Sequence, residues 1–262
     1  MKSICSLYKF KYYLAHLVSL FIKNKNSNSF SRCIMYHSIF KNKKIINDIH
    51  TVKYTNFKKQ IEYLKNFNIT HINKINNKPN SISVTFDDGY KDTLKVAYPI
   101  LKKNKIPFTI FIITNNLINQ QKNYLDAKDV KKLAKDKNII IGSHSKSHVD
   151  LTNVNDKTLL SELKDSKIEL ENIIKKKVTC LSFPYGKFNQ RIIKLSKKIG
   201  YKTLCNSEPL PNNNNKKIII NRQAIIYYDN FFFFKNKING RFDAIINLKK
   251  LLKSQVLIKR FI

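Results

Sequence analysis

Two adjacent carboxylates, Asp87 and Asp88, directly follow a stretch that favours an extended backbone. The segment Ser81–Tyr90 reads SISVTFDDGY, and its apolar and small residues predict a strand that ends at Phe86. Gly89 then permits a sharp turn. Because the pleat breaks down where a strand ends, both acids can face one pocket and take different roles. The stretch is therefore a candidate active-site edge, with an ordinary Asp-Asp-Gly turn as the alternative.

Two histidines four residues apart, His144 and His148, form a second group that could do chemistry. Their spacing in IGSHSKSHVDL can bring both imidazoles to one metal ion. With Asp88 they supply two nitrogen ligands and one oxygen ligand. This set leaves coordination positions open, as in catalytic sites that hold Zn²⁺ or another first-row divalent ion. An incidental pair of loop histidines is the alternative.

Alternating strand and helix patterns connect these residues. We predict strands at 32–36, 69–72, 81–86, 108–113, 138–141, 178–183, 201–204 and 218–226, and helices at 55–66, 92–104, 126–136, 156–176, 189–199 and 241–253. Such alternation indicates a parallel sheet, either open and doubly wound or closed as a barrel. A barrel collects functional groups at the carboxyl ends of its strands. Candidate residues follow four predicted strands in this way: His37, the Asp87/Asp88 pair, His144, and Pro184–Tyr185.

Composition favours one α/β domain and argues against a nucleic-acid partner. The chain has 262 residues, 42% of them hydrophobic, which suffices for a single core. The net charge of +33 comes almost entirely from Lys, which accompanies abundant Asn, Ile, Phe and Tyr. This is the residue set of A+T-rich codons, so we attribute the charge to base composition. The charge could still attract acidic glycans or lipid headgroups.

The first residues differ in pattern from the rest, and we place a domain boundary between 1–31 and 32–262. The apolar part of the basic segment, at about 12–22, is too short to span a bilayer and is followed by no small-residue cleavage site. We predict an amphipathic helix with possible membrane-surface contact and then a polar linker, with a signal peptide as the alternative. The four cysteines form no CxxC, which favours a reducing compartment. The expected location is cytoplasmic or peripheral to the membrane, and secretion stays open. The sequence indicates no oligomeric state.

Three stretches, in this order, resemble the first motifs of the NodB-type polysaccharide deacetylases, carbohydrate esterase family 4: VTFDDGY, SHSKSH and FPYGKFNQRIIKLSKKIGYK. The likeness runs from about residue 32 to residue 222. It implies a distorted (β/α) barrel and a metal-dependent hydrolase that removes N-acetyl, and sometimes O-acetyl, groups from glycans. The implied partners are an N-acetylated carbohydrate substrate and one divalent metal ion, with Zn²⁺ favoured.

The resemblance also implies roles by position: a catalytic base at Asp87, metal ligands at Asp88, His144 and His148, and an oxyanion-binding backbone N–H at Tyr185. An acetamide is a poor electrophile with a poor leaving group, which explains the need for a metal ion, a base and an oxyanion site. We place Pro184, Tyr90 and Arg222 in the substrate-binding region. Plain packing is the alternative for Tyr90.

The chain departs from the family pattern in three places. No histidine follows His148, so the usual C-terminal proton donor is missing. We assign His37 as the general acid, because a circularly permuted branch of the family carries this histidine before the Asp pair; a histidine that only caps the strand is the alternative. Ser182 stands where the family often has Arg, and we hypothesise that Arg222 supplies the lost cation near Asp87. The chain also has no Trp, so the aspartate–tryptophan motif is absent.

Three functional classes remain. A glycan N-deacetylase is favoured. The missing Arg and Trp suggest a catalytically impaired glycan-binding relative, and the Lys excess suggests a protein that binds polyanions or membrane surfaces. The FFFF run at 231–234 is expected to fill the core or plug the barrel, with membrane contact less favoured.

Overall fold

The structure is a computed structural model that describes residues 31–41, 49–77, 80–212 and 218–241, together with residues 243 and 246. The strands in these ranges are β1 (Arg32–Tyr36), β2 (Ser38–Phe40), β3 (Thr51–Lys53), β4 (Asn68–Ile69), β5 (Ser81–Phe86), β6 (Phe108–Ile112), β7 (Ile139–Ser143), β8 (Cys180–Ser182), β9 (Thr203–Cys205), β10 (Ile219–Ile220) and β11 (Arg222–Ala224). The α-helices are α1 (Tyr54–Leu64), α2 (Tyr98–Lys103), α3 (Thr114–Ile118), α4 (Ala127–Ala134), α5 (Asp156–Ile174), α6 (Gln190–Ile199) and α7 (Phe231–Ile238).

Nine of the strands form one parallel sheet, in the order β10-β9-β8-β7-β6-β5-β1-β11, with β4 paired to the start of β5. Strands β10 and β11 lie at opposite ends of this order, although only Asn221 separates them in the chain. The two ends of the sheet therefore meet, and the sheet curves into a nearly closed barrel. The predicted distorted (β/α) barrel is confirmed.

A single late strand over 218–226 was the wrong expectation, because Asn221 breaks it into β10 and β11. The side chain of Asn212 accepts a hydrogen bond from the Asn221 N–H and donates one to the Asn221 carbonyl, each at 2.9 Å. Since these backbone groups bond to a side chain, they cannot bond to a neighbouring strand. The break lets the chain pass from one end of the sheet to the other, and it leaves Arg222 fully buried.

Several helices also differ from expectation. The helix expected over 92–104 is a π-helical turn at Thr93–Ala97 that continues into α2. Helix α7 was not expected. It begins at the FFFF run, where Asn230 caps it by accepting from the Phe233 N–H at 2.9 Å. Phe233 and Phe234 are buried as expected of core residues, whereas Phe232 is 49% exposed.

The expected boundary near residue 31 coincides with the start of the described residues and stays a prediction. The N-terminal segment lies outside the described residues, and so does almost all of the helix expected over 241–253. Within the described part of the chain, no helix is both long enough and apolar enough to cross a bilayer.

Candidate active site

The candidate residues lie together at the carboxyl ends of the barrel strands. Asp87 and Asp88 follow β5, His144 follows β7, and His37 follows β1. Backbone hydrogen bonds continue past the strand ends and fix these residues: the Asp87 N–H donates to the Tyr36 carbonyl, and the His144 N–H donates to the Ile112 carbonyl, each at 2.9 Å. The parallel register thus brings residues from distant parts of the sequence to one rim.

Asp88, His144 and His148 form a triangle of possible metal ligands. Oδ1 of Asp88 lies 3.5 Å from Nε2 of His144 and 3.7 Å from Nε2 of His148, and the three ligand atoms lie within 4.8 Å of one another. Tetrahedral Zn²⁺ with bonds of about 2.0–2.1 Å holds its ligand atoms about 3.4 Å apart. Two of the three separations are close to this value, so two imidazoles and a carboxylate here suit a divalent ion such as Zn²⁺.

Both histidines are in the neutral form that a metal ion requires. Burial lowers the pKa of His144 to about 4 and also lowers the pKa of His148. Nδ1 of His144 lies 2.9 Å from the Ser182 carbonyl oxygen. Because a carbonyl only accepts, Nδ1 carries the hydrogen and Nε2 presents its lone pair toward Asp88.

Asp87 is buried and held by Arg222. The two guanidinium nitrogens Nη1 and Nη2 each donate to one carboxylate oxygen at 2.7 Å. Ser182 joins them: its hydroxyl donates to Asp87 at 3.1 Å and accepts from Arg222 at 2.7 Å. Burial alone would raise the pKa of Asp87, but the charge of Arg222 and the nearby His144 hold that pKa well below its usual range. Asp87 is therefore ionised, 3.6 Å from Nε2 of His144.

The site contains four non-glycine residues in the left-handed region: Asp88 (φ +69°), Ser145 (+62°), His148 (+60°) and Tyr185 (+57°). This conformation is costly for residues with a Cβ and persists where the surroundings impose it. The surroundings therefore hold the ligands and the expected oxyanion donor in fixed positions. The residue types along the sequence did not predict this.

Comparison with known proteins assigns the family. Residues 74–204, half of the chain, match the family model described as polysaccharide deacetylase. The chain belongs to the polysaccharide deacetylase family.

Relatives and a solved structure agree with this assignment. YxkH of Bacillus subtilis, a protein assigned to the polysaccharide deacetylases, is 34% identical over 49% of this chain and 45% of its own length. The poly-β-1,6-N-acetyl-D-glucosamine N-deacetylase of Staphylococcus aureus is 28% identical over 58% of this chain and 60% of its own length. The chain thus spans about half the length of the curated relatives it matches. The structure of the Streptococcus pyogenes deacetylase PplD, in complex with acetate, matches with a TM-score of 0.72 at 21% identity, covering 80% of this chain and 98% of that one. This likeness supports the fold.

This member of the deacetylase family has Ser182 where the family often has Arg, and in the structure Arg222 supplies a guanidinium near that position. The guanidinium beside Asp87 comes from β11, which β1 separates from β5, and Ser182 bridges it to the carboxylate. Arg222 therefore lies where the sequence hypothesis placed the missing cation. It is fully buried against Asp87, so its position suits holding that carboxylate and not the direct substrate contact assigned from sequence.

His37 lies on the same rim, beside a second histidine that sequence reasoning missed. Its ring centroid is 4.5 Å from that of His50, and its pKa responds to the charges of Asp87 and His144. Burial lowers the pKa of His37 to about 3, partly offset by Asp87, so the ring is neutral at pH 7. Sequence gave no sign of His50, because it lies beyond a segment without periodic pattern.

The other assigned residues occupy different settings. The Tyr185 side chain is 63% exposed, and its ring packs at 4.7 Å from the ring of His148. Pro184 is buried. Tyr90 is partly buried and stacks on Tyr124 at 4.9 Å, so one face of its ring is already used in packing.

Proposed function

We propose that this chain hydrolyses N-acetyl groups of a glycan, with one divalent metal ion held by Asp88, His144 and His148. The observation that carries the proposal is the ligand triangle beside an ionised, buried Asp87. When bound, a divalent ion such as Zn²⁺ supplies polarisation of the acetamide carbonyl and acidification of a water molecule. The similarity to the poly-β-1,6-N-acetyl-D-glucosamine N-deacetylase of Staphylococcus aureus supports an N-acetylated glycan as the substrate class.

Asp87 acts as the base that takes a proton from the attacking water. Its low pKa makes it a weak base, so it suits a water that is already acidified. Arg222 and Ser182 fix the carboxylate, and therefore the proton transfer needs no movement of Asp87. The backbone N–H of Tyr185 is assigned to the developing oxyanion, as the family resemblance implies.

His37 is assigned to deliver a proton to the departing amine. The ring is neutral in this structure, so it becomes a donor only after it has gained a proton. The charge of Asp87 raises the pKa of His37, and we assign the proton taken from the attacking water as the one that His37 gains. One proton would thus move from the water to the amine, and the products are acetate and a free amino sugar.

Acetate release from N-acetylglucosamine oligomers tests the proposal. We expect activity to fall when a chelator removes the metal ion and to return when Zn²⁺ is added. Asp87→Asn should lower kcat about 10²–10⁴-fold, because the base is lost, and should still bind zinc. Asp136→Asn, which changes a carboxylate outside the site, is the matched control. Acetate release that survives both chelation and Asp87→Asn contradicts the proposal, and binding of zinc and sugar without acetate release would identify an impaired relative instead.

A further inference from the structure

A buried carboxylate that the proposed chemistry does not use binds the segment between the two ligand histidines. Glu162, on α5, is 6% exposed. Its Oε2 accepts from the N–H of Lys146 at 3.0 Å and from the N–H of Ser147 at 2.9 Å, while its Oε1 accepts from the Ser147 hydroxyl. Both backbone donors belong to the short segment between His144 and His148. One side chain thus binds three donors of this segment.

The segment itself has no regular secondary structure to hold it. Ser145 and His148 both have left-handed backbones. Two serine hydroxyls accept backbone hydrogen bonds here. The Ser145 N–H donates to the Ser143 hydroxyl at 3.2 Å, and the His148 N–H donates to the Ser145 hydroxyl at 3.1 Å. The remaining N–H groups, at 146 and 147, point to Glu162, so the carboxylate replaces the backbone partner that a strand or helix would supply.

Helix α5 holds the other end of the segment as well. The Ser166 hydroxyl, one turn beyond Glu162, lies 2.8 Å from the Ser143 hydroxyl at the end of β7. Residues four apart share one face of a helix. That face therefore contacts the Ser143 hydroxyl just before His144 and the backbone N–H groups just before His148.

We propose that Glu162 is a positioning residue of the metal site: it holds the 145–148 segment so that the imidazole of His148 meets Asp88 and His144 in ligand geometry. The inference rests on the proposed metal site. The hydrogen bonds of Glu162 reach the backbone of residues 146 and 147 and the Ser147 hydroxyl, so it acts through the segment that carries His148. Loss of such outer contacts commonly lowers metal affinity about 10–100-fold.

Zinc affinity, measured by competition with a chromophoric chelator, tests the inference independently of acetate release. We expect Glu162→Ala to weaken zinc binding about 10–100-fold while the thermal unfolding of the metal-free protein stays cooperative. Glu162→Gln should restore most of the affinity, since its Oε1 can accept both N–H groups and its Nε2 can donate to the Ser147 hydroxyl. Asp165→Ala is the matched control: Asp165 lies on the same helix and reaches Lys146 only through the side-chain Nζ, at 3.1 Å.

The outcomes are distinguishable. Wild-type zinc affinity in a folded Glu162→Ala variant, or an equal loss in Asp165→Ala, overturns the inference. If Glu162→Ala does not fold, Glu162→Asp decides, because it keeps the charge but withdraws the carboxylate by one methylene; wild-type affinity in that variant also overturns the inference. A wild-type chain that binds zinc but releases no acetate removes the proposed function and leaves the role of Glu162 standing.

Discussion

Asp87 and Arg222 form a fully desolvated ion pair at the base of the active site. Their side chains are 3% and 0% exposed. Desolvating two charges is costly, and the cost is offset only if geometry and further hydrogen bonds are good. Here both carboxylate oxygens meet the guanidinium, Ser182 bridges the pair, and the Phe111 ring lies 5.2 Å from the guanidinium carbon. Each charge therefore depends on the other.

Removal of the cation should change both stability and the pH profile. Arg222→Met leaves Asp87 buried without a countercharge, so we expect a loss of about 3–5 kcal/mol in unfolding free energy at pH 7. Because the native pair keeps the pKa of Asp87 below its unfolded value, its contribution is present above that unfolded pKa. In the variant the pKa of Asp87 rises, and the deficit should shrink as the pH falls toward 4.

Urea unfolding at pH 7 and pH 4 measures the loss of unfolding free energy in Arg222→Met. In the same variant, the acid limb of the kcat/KM profile should move to higher pH. Lys177→Met, at a side chain that is 86% exposed, is the control and should change unfolding by less than about 1 kcal/mol. An unchanged acid limb in a folded Arg222→Met protein would contradict the assignment of Asp87 as the base.

At the residue scale, the sequence predicted site residues that are metal-ligand types and that lie in short motifs. Asp88, His144 and His148 are residues of this kind. Arg222 was found only as a hypothesis, because its contact with Asp87 depends on β11 pairing with β1, which is far from it in the sequence. Glu162 could not be found, because it is one of several acids on a long helix and no spacing distinguishes it. Outer-shell contacts follow from three-dimensional packing and not from local pattern.

At the scale of elements, the positions of His144 and Asp87 depend on tight contacts between central strands. Phe111 of β6 pairs with Gly142 of β7. A Cβ built on Gly142 would lie 2.5 Å from the Phe111 ring and 3.2 Å from the Cys180 carbonyl oxygen. The absence of a side chain at residue 142 therefore lets the Phe111 ring lie against β7 just before His144.

Gly142→Ala should force this contact apart. We expect a destabilisation of about 1–3 kcal/mol in urea unfolding, from overpacking. Phe111→Leu removes the ring, so the two changes should couple: the cost of Gly142→Ala should be smaller in the Phe111→Leu background. Equal costs in both backgrounds would show that the ring does not set the limit.

The strand predictions matched the structure for two of the longer buried strands and failed where pairing with distant neighbours decides the bounds. The predicted bounds of β1 and β5 match the structure at both ends, since both strands are fully buried. Strands β10 and β11 have two and three residues, and their pairing is set by neighbours far away in sequence. The π-helical turn at Thr93–Ala97 shares the apolar periodicity of an α-helix, so a pattern of this kind does not reveal it.

At the scale of the whole molecule, a second buried ion pair secures the barrel. Arg32, at the start of β1, meets both carboxylate oxygens of Asp243 at 2.9 and 2.5 Å, and both side chains are 6% exposed. Asp243 lies beyond α7. The pair therefore ties the chain after the last described helix to the first strand of the barrel.

Asp243→Ala should release this connection and leave Arg32 buried without a partner. We expect a loss of about 3–5 kcal/mol in unfolding free energy, measured by urea denaturation at pH 7. Asp156→Ala removes a carboxylate that is 84% exposed and should cost less than about 1 kcal/mol. Similar values for the two variants would show that the buried pair does not stabilise the barrel.

Alternation of strands and helices predicted a parallel sheet, and the family resemblance implied the barrel, but no sequence pattern showed how the two ends of the sheet meet. Asn212 and Asn221 resemble ordinary loop asparagines in the sequence. In the structure, the Asn212 side chain hydrogen-bonds the N–H and the carbonyl of Asn221, at the break between β10 and β11.

Because β11 pairs with β1 and β1 pairs with β5, Arg222 reaches Asp87 only when β11 has docked on β1. A chain with the other eight strands of the sheet assembled, and with all three ligand residues in place, would still hold an Asp87 that lacks its countercharge. The proposed acetate release would then depend on the pairing of β11 with β1, far from the three ligand residues in the sequence.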